Sequence, residues 1–294
     1  MSTEGAAVIS DALRAPRARI DEALRAFLDE ERSRVQGIEP RAIAVLDETE
    51  RLIRAGGKRL RPAFCFWGYR AAGGLDDDRI VRASAALELL HTMALIHDDL
   101  MDDTSQRRGV PSTAVRFTAE AIERGTPADA GRFGSSAAVV AGDLAAVLAD
   151  RLLSRSGFDA ESLARASEPY HAMRVDMALG QYLDVADLAH EPDDARRVAW
   201  LKGGAYTVEG PLMIGAAFAD GGDTQRAALH AFGRPLGEAF QLRDDLVDGE
   251  AASGTDAGLV EDLVRKARAA LIGAPLDAGA IAALDELASL VKPS

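Results

Sequence analysis

One cysteine, Cys65, stands in 294 residues. That excludes an intrachain disulfide framework and a CxxC-type zinc site, and it suits a reducing cytoplasm. Positive charge is scarce. Lys plus Arg is 34 against 47 Asp plus Glu, a formal net charge of -13. Nucleic acid is a poor partner for such a chain, because phosphate neutralisation needs a cationic surface. Long apolar runs are missing too. The greasiest stretches are 83–96 and 135–149, and Glu88, His91 and Asp143 interrupt them. A bilayer span needs about twenty nearly uncharged residues, so no membrane span is expected. The first thirty residues mix arginines with acidic residues and lack the apolar core of an export signal. Runs of alternating β-branched residues are nearly absent, which argues against sheet.

What is present favours helix. Hydrophobic residues make up 48% and charged residues 28%, enough for a sizeable core and too little charge for disorder. Apolar residues recur at spacings of three and four. Ile20, Ala23, Leu24, Phe27 and Leu28 form one stripe; Ile43, Val45, Leu46, Leu52 and Ile53 form another. Gly56-Gly57 and Gly73-Gly74 punctuate the helices that precede them. A long helix is predicted from about 77 to 102. Others are predicted near 113–124, 132–156, 160–188, 194–202, 206–219 and 224–248. A loop at 249–258 and two short helices, near 259–271 and 278–291, follow. No linker and no internal repeat of 20–50 residues interrupts this pattern. The expectation is an all-α fold: one large helical bundle forming a single domain over 1–294.

The chemistry concentrates in two acidic clusters. Asp98, Asp99 and Asp102 stand in HDDLMDD, and Asp244, Asp245 and Asp248 stand in RDDLVD. Each set occupies i, i+1 and i+4, which puts several carboxylates on neighbouring parts of one helix face. Like charges so close need a counterion, and a hard divalent cation such as Mg²⁺ bridges carboxylates to substrate phosphates. One such cluster alone reads equally well as a solvated helix end. Here both follow apolar helix segments, Leu89–Ile96 and Phe240–Leu242. Basic counterparts exist in GGKRLRP at 56–62 and in Arg107-Arg108-Gly109. Arginine forks and lysine point charges suit phosphate oxygens. His91 lies two turns before Asp98 and can share its face; His97 reads as packing or as a support behind the site residues.

With these motifs in view, the chain resembles the trans-isoprenyl diphosphate synthases, the polyprenyl synthetase family. GGKRLRP, DDLMD with RRGVPS behind it, AGDL at 141–144, GQYLD at 180–184 and FQLRDDLVD at 240–248 occur in the family's order, over roughly 38–248. The resemblance implies helices around a central cavity, and usually a homodimer. It implies that Asp98, Asp99, Asp102, Asp244, Asp245 and Asp248 hold Mg²⁺, three ions per site, with Mn²⁺ as an alternative. Arg107 and Lys202 would contact an allylic diphosphate. Lys58, Arg61, His91 and Arg108 would hold isopentenyl diphosphate, and Gln181 and Gln241 would line the cavity. Met93 and Ala94 stand where aromatics often limit chain growth. The implied product is therefore C20, geranylgeranyl diphosphate, with C15 and C25 open.

Three departures stand out. Gly203 follows Lys202 where the family usually has threonine, and 249–258 contains no lysine where the family has several. The part after about 248 reads as shorter than the family's by a few tens of residues, and Lys266 is a candidate substitute. Two rival functions follow. One is a non-catalytic, prenyl-diphosphate-binding subunit of a heteromeric synthase. The other is a class I terpene cyclase, against which GGKRLRP and the second acidic cluster both argue.

Overall fold

The computed structural model describes residues 11–188, 192–249 and 255–291. It is all-α, as the spacing predicts. In chain order the helices are α1 (Asp11–Ile38), α2 (Ile43–Arg54), α3 (Leu60–Ala71), α4 (Asp78–Met101), α5 (Thr113–Glu123), α6 (Ala130–Ser154), α7 (Ala160–Val185), α8 (Pro192–Ala199), α9 (Gly210–Phe218), α10 (Asp223–Asp248), α11 (Ala257–Ala269) and α12 (Ala278–Ala288). The helix starts are chemically marked. Asp159, Asp256 and Asp277 each accept a hydrogen bond from the backbone N–H three residues on, at the starts of α7, α11 and α12. Such a cap satisfies one of the donors that a helix leaves open at its first turn. Asp77, just before α4, does the same for the amides of Arg79 and Ile80.

Two local features depart from the expectation. The predicted break at 203–205 is not there. Trp200–Glu209 is instead a π-helical segment joining α8 to α9 without interruption. Its Gly203-Gly204 pair allows a close approach rather than a turn: a Cβ on Gly204 would lie 2.9 Å from the Gly237 carbonyl of α10. The second departure is a minimal hairpin between α4 and α5, β1 (Gln106–Arg107) paired antiparallel with β2 (Val110–Pro111). Of the predicted loop at 249–258, residues 250–254 lie outside the described residues.

Contacts group the chain into two compact units. Unit one takes the described parts of Met1–Arg19, Arg59–Ile80 and Phe158–Ser294. Its core joins α3 and α9–α12 through Phe64, Leu212, Phe232, Leu236, Leu284 and Leu287. Full burial of each such side chain contributes roughly 1.5–3 kcal/mol. Unit two takes Ile20–Lys58 and Val81–Gly157. There Leu52 of α2, Ile96 of α4 and Ala138 and Ala141 of α6 form a core, with Val45, Leu100 and Ala114 against it. Alanines at 138 and 141 keep α6 thin where it meets its neighbours. By length and composition alone α4 would be able to cross a membrane. Yet 67% of its most apolar window is buried within the fold, as in the core helix of a globular protein.

Candidate active site

In unit two the last turn of α4 carries Asp98 and Asp99. The helix ends at Met101, and Asp103 takes a left-handed φ of 54° that lets the chain turn away. The Thr104 amide then returns to the Asp99 carbonyl at 2.8 Å. Asp102 follows the helix directly and is exposed. The hairpin brings Arg107 back onto this end: its Nε donates to Asp99 Oδ1 at 2.6 Å, and its Nη2 lies 3.4 Å from Asp98 Oδ2. Asp99 is only 3% exposed. Burial pushes its carboxyl above the usual carboxylate range and the nearby Asp98 charge adds to this, while Arg107 opposes both. Burial works against the charge on Arg107, but the hydrogen bond and charge of Asp99 together with the charges of Asp98 and Asp102 outweigh it and hold the guanidinium more firmly protonated.

The hairpin turn is Arg108-Gly109, with φ of 54° and 76°. Two successive left-handed residues make the turn that suits a two-residue hairpin loop. Glycine adopts this freely; arginine there carries strain of about 1–3 kcal/mol. The Arg108 guanidinium donates to the Gly56 carbonyl. The arginine pair and the first glycine of GGKRLRP are thereby tied together. Lys58 is exposed, and His91 and Met93 on α4 are half-buried. His97 lies against α6, its Nε2 3.3 Å from the Val139 carbonyl and 4.0 Å from Asp143. Gly142 of AGDL makes this possible, because a Cβ there would sit 2.1 Å from His97 Nε2.

In unit one the end of α10 carries the second cluster. Asp244 pairs with the neighbouring Arg243, whose Nη1 donates to the Leu290 carbonyl at 3.1 Å. Asp245 Oδ1 accepts from Gln241 Nε2 at 2.7 Å. The side chain of Asp248 lies outside the described residues. The π segment places Lys202 2.6 Å from Asp184, the last residue of GQYLD. Gly180 of that motif lets the Lys202 backbone approach α7, since a Cβ would lie 2.5 Å from Lys202 N. Gln181 is half-buried. Arg61 lies over the Tyr206 ring, 4.3 Å from its centroid, and donates to Thr207 Oγ1 at 2.9 Å.

The acidic motif on α4 has the donor chemistry of a divalent-cation site. Asp99 Oδ2 is buried and has no hydrogen-bond partner, although its sister oxygen is engaged. An orphaned anionic oxygen beside further carboxylates is a hard donor set, and it fits Mg²⁺. As the side chains stand, Arg107 supplies the counter-charge, and no three His, Cys, Asp or Glu side chains among the described residues gather as ligands. Sequence reasoning missed Asp184, Tyr206 and Thr207 as the contacts of Lys202 and Arg61. It also missed a buried carboxylate, Glu48. That residue lies three after Val45 and four before Leu52 on the apolar stripe of α2, and a charge at such a position was the available signal.

A family model for polyprenyl synthetase matches residues 44–278. The chain belongs to the polyprenyl synthetase family. It is 34% identical over 233 residues to the farnesyl diphosphate synthase of Escherichia coli, covering 74% of this chain and 71% of that one. It is 32% identical over 221 residues to a short chain isoprenyl diphosphate synthase of Methanothermobacter thermautotrophicus, covering 74% and 61%. A geranylgeranyl pyrophosphate synthase from Corynebacterium glutamicum, solved in complex with isoprenyl diphosphate and magnesium, superposes with a TM-score of 0.87. That comparison is at 26% identity and covers 96% of this chain and 99% of the other. The chain spans about three fifths of the length of several curated relatives it matches. Both acidic motifs, the arginine pair and GGKRLRP fall inside the segment matched to the polyprenyl synthetase family.

Proposed function

We propose that the chain is a divalent-metal-dependent trans-prenyltransferase joining an allylic diphosphate to isopentenyl diphosphate, with C20 as its product. The observation that carries this reading is the end of α4. There a buried carboxylate with an orphaned oxygen meets the first of two arginines, and the second arginine is tied to the glycine-rich basic segment. Carboxylates suited to a hard divalent cation and arginines suited to phosphate oxygens stand together there.

Asp98, Asp99 and Asp102 are the residues that would hold Mg²⁺ in unit two, as Asp244, Asp245 and Asp248 would in unit one. A divalent cation held there would supply positive charge to a leaving diphosphate. Arg107 and Lys202 bind the allylic diphosphate. Each now rests on an aspartate, Asp99 and Asp184, and exchanges that contact for phosphate oxygens on binding. Lys58, Arg61, His91 and Arg108 bind the isopentenyl diphosphate, and Gln181 and Gln241 orient the two substrates. The allylic C–O bond breaks with its electron pair on the diphosphate. The isopentenyl double bond then forms the new C–C bond, and the proton lost from the adjacent carbon goes to the released pyrophosphate. The cationic side chains act by stabilising charge where it develops, and no side-chain nucleophile is required.

Chain length follows from α4. Met93 and Ala94 are half-buried and non-aromatic, which leaves room for a long tail. A homodimer accords with α6, where Phe133, Val140 and Val147 recur every seven residues and stay 40–60% exposed. Light scattering on the purified chain tests this, and a monomer at micromolar concentration refutes it. The reaction is tested with purified protein, Mg²⁺, labelled isopentenyl diphosphate and C5, C10 or C15 allylic primers. C20 product is expected. Conversion of the primer without incorporation of isopentenyl diphosphate would favour a cyclase. Tight primer binding with no product would favour a non-catalytic subunit.

A further inference from the structure

The Arg107–Arg108 hairpin is too small to hold itself. It has four strand residues and a strained turn, and an isolated two-stranded hairpin is marginal in water. Arg107 on Asp99 and Arg108 on the Gly56 carbonyl hold its tip, and a further anchor in unit two holds its exit. Glu48 of α2 has 0% of its surface exposed. Its carboxylate accepts from Arg51 Nε at 2.8 Å, from Arg51 Nη2 at 2.6 Å and from Thr113 Oγ1 at 2.7 Å. Arg116 Nη1 lies 3.3 Å away. Arg51 Nη2 in turn donates to the Pro111 carbonyl at 2.9 Å. Pro111 is the last residue of β2, and Thr113 begins α5. Both sides of the hairpin's exit are therefore pinned to one buried charge.

A buried carboxylate is costly unless it is paired and fully hydrogen-bonded. A core helix would tolerate an apolar residue at 48, and the stripe of α2 supplies apolar neighbours. Neither α2 nor α5 needs this charge in order to be a helix. What it does is join α2 to the segment that carries Arg107 and Arg108. We propose that Glu48 is a positioning residue: through Arg51 and Thr113 it locks the hairpin so that the arginine pair is held ready for diphosphate. This rests on the prenyltransferase reading for its consequence in turnover, while its mechanical content stands without it.

The test uses the full chain with Glu48→Gln, Thr113→Val and Arg51→Lys. Amide hydrogen exchange is followed at 104–112, and inorganic pyrophosphate binding is followed by calorimetry in Mg²⁺. In Glu48→Gln, exchange in the hairpin is expected to rise at least tenfold over that in the last turn of α4, and pyrophosphate affinity to fall about tenfold. Thr113→Val and Arg51→Lys should each give a smaller change in the same direction, and they decide the matter should Glu48→Gln fail to fold. With Arg108→Ala already present, Glu48→Gln should lose part of its effect on pyrophosphate affinity, because Arg108 is one of the two groups through which it acts. In the turnover assay the loss should fall on KM for the diphosphates more than on kcat. Unchanged hairpin exchange in the folded variants, or fully additive losses with Arg108→Ala, overturns the proposal. A wild-type chain without turnover would sink the prenyltransferase reading, and exchange would still judge the role of Glu48.

Discussion

Gly142 lies inside α6, where alanine ordinarily improves a helix by about 0.5–1 kcal/mol. Gly142→Ala is expected to do the opposite here. The new methyl carbon would sit 2.1 Å from His97 Nε2, 2.4 Å from Cδ2 and 2.8 Å from Cε1. Ordinary contact starts near 3.4 Å, so the ring must retreat by about 1.3 Å. An imidazole has no flexible end to fold away. Overpacking of this kind costs about 1–3 kcal/mol, which exceeds the helix gain. The variant should therefore unfold at lower urea, with a net loss of about 0.5–2 kcal/mol. The informative step is the second background. In His97→Ala the clash is gone, and Gly142→Ala should become stabilising by about 0.5–1 kcal/mol. Equilibrium urea unfolding of the four proteins gives the coupling energy directly. If Gly142→Ala destabilises equally in both backgrounds, the close approach between His97 and α6 is not what the glycine serves.

Gly203→Thr should cost about 0.5–1.5 kcal/mol of stability, because its Cβ meets the flexible end of Gln241, at 1.7 Å from Oε1, and moving that amide gives up its hydrogen bond to Asp245. It should displace that amide from Asp245 and change Mn²⁺ affinity several-fold by titration, and an unaltered affinity counts against a linked role. Met93→Phe should shorten the product, as read by chromatography; unchanged length refutes the assignment of α4 as the floor. Burial raises the Asp77 carboxyl pKa, but the hydrogen bonds and charge of Arg79 outweigh it and hold the group below the usual range. A carboxyl lowered by folding contributes stability above its unfolded pKa of about 3.9 and loses it as pH falls through the folded value. Thermal melts should therefore show Asp77→Asn less stable than wild type at pH 6, with the gap closing as pH drops below about 4.

The helices were legible because their signals are local: apolar spacing, aspartate caps and glycine stops lie within a few residues of one another. The hairpin was not, since two-residue strands have no period to read, and nothing in Arg108 itself announces a left-handed backbone. Gly203-Gly204 misled for the same reason. Two glycines read as a break, whereas here they allow a π segment to press on α10, a partner some thirty residues on. The acidic and basic motifs were visible as residue types. Their pairing was not, because Arg107 reaches Asp99 only after a helix end and a turn, and Lys202 meets Asp184 across eighteen positions. Gln241 and Asp245, four apart on α10, were within reach of simple helical geometry.

α4 has a double duty. Leu87, Leu89, Leu90 and Ile96 anchor it in the interior, and Asp98 and Asp99 cap the same rod. A hydrogen-bonded helix transmits a twist or slide along its length with little slack. On the proposed function, selection for tail length at position 93 would bear on where the carboxylates stand five and six residues later. Attempts to re-engineer chain length should then screen metal affinity alongside product.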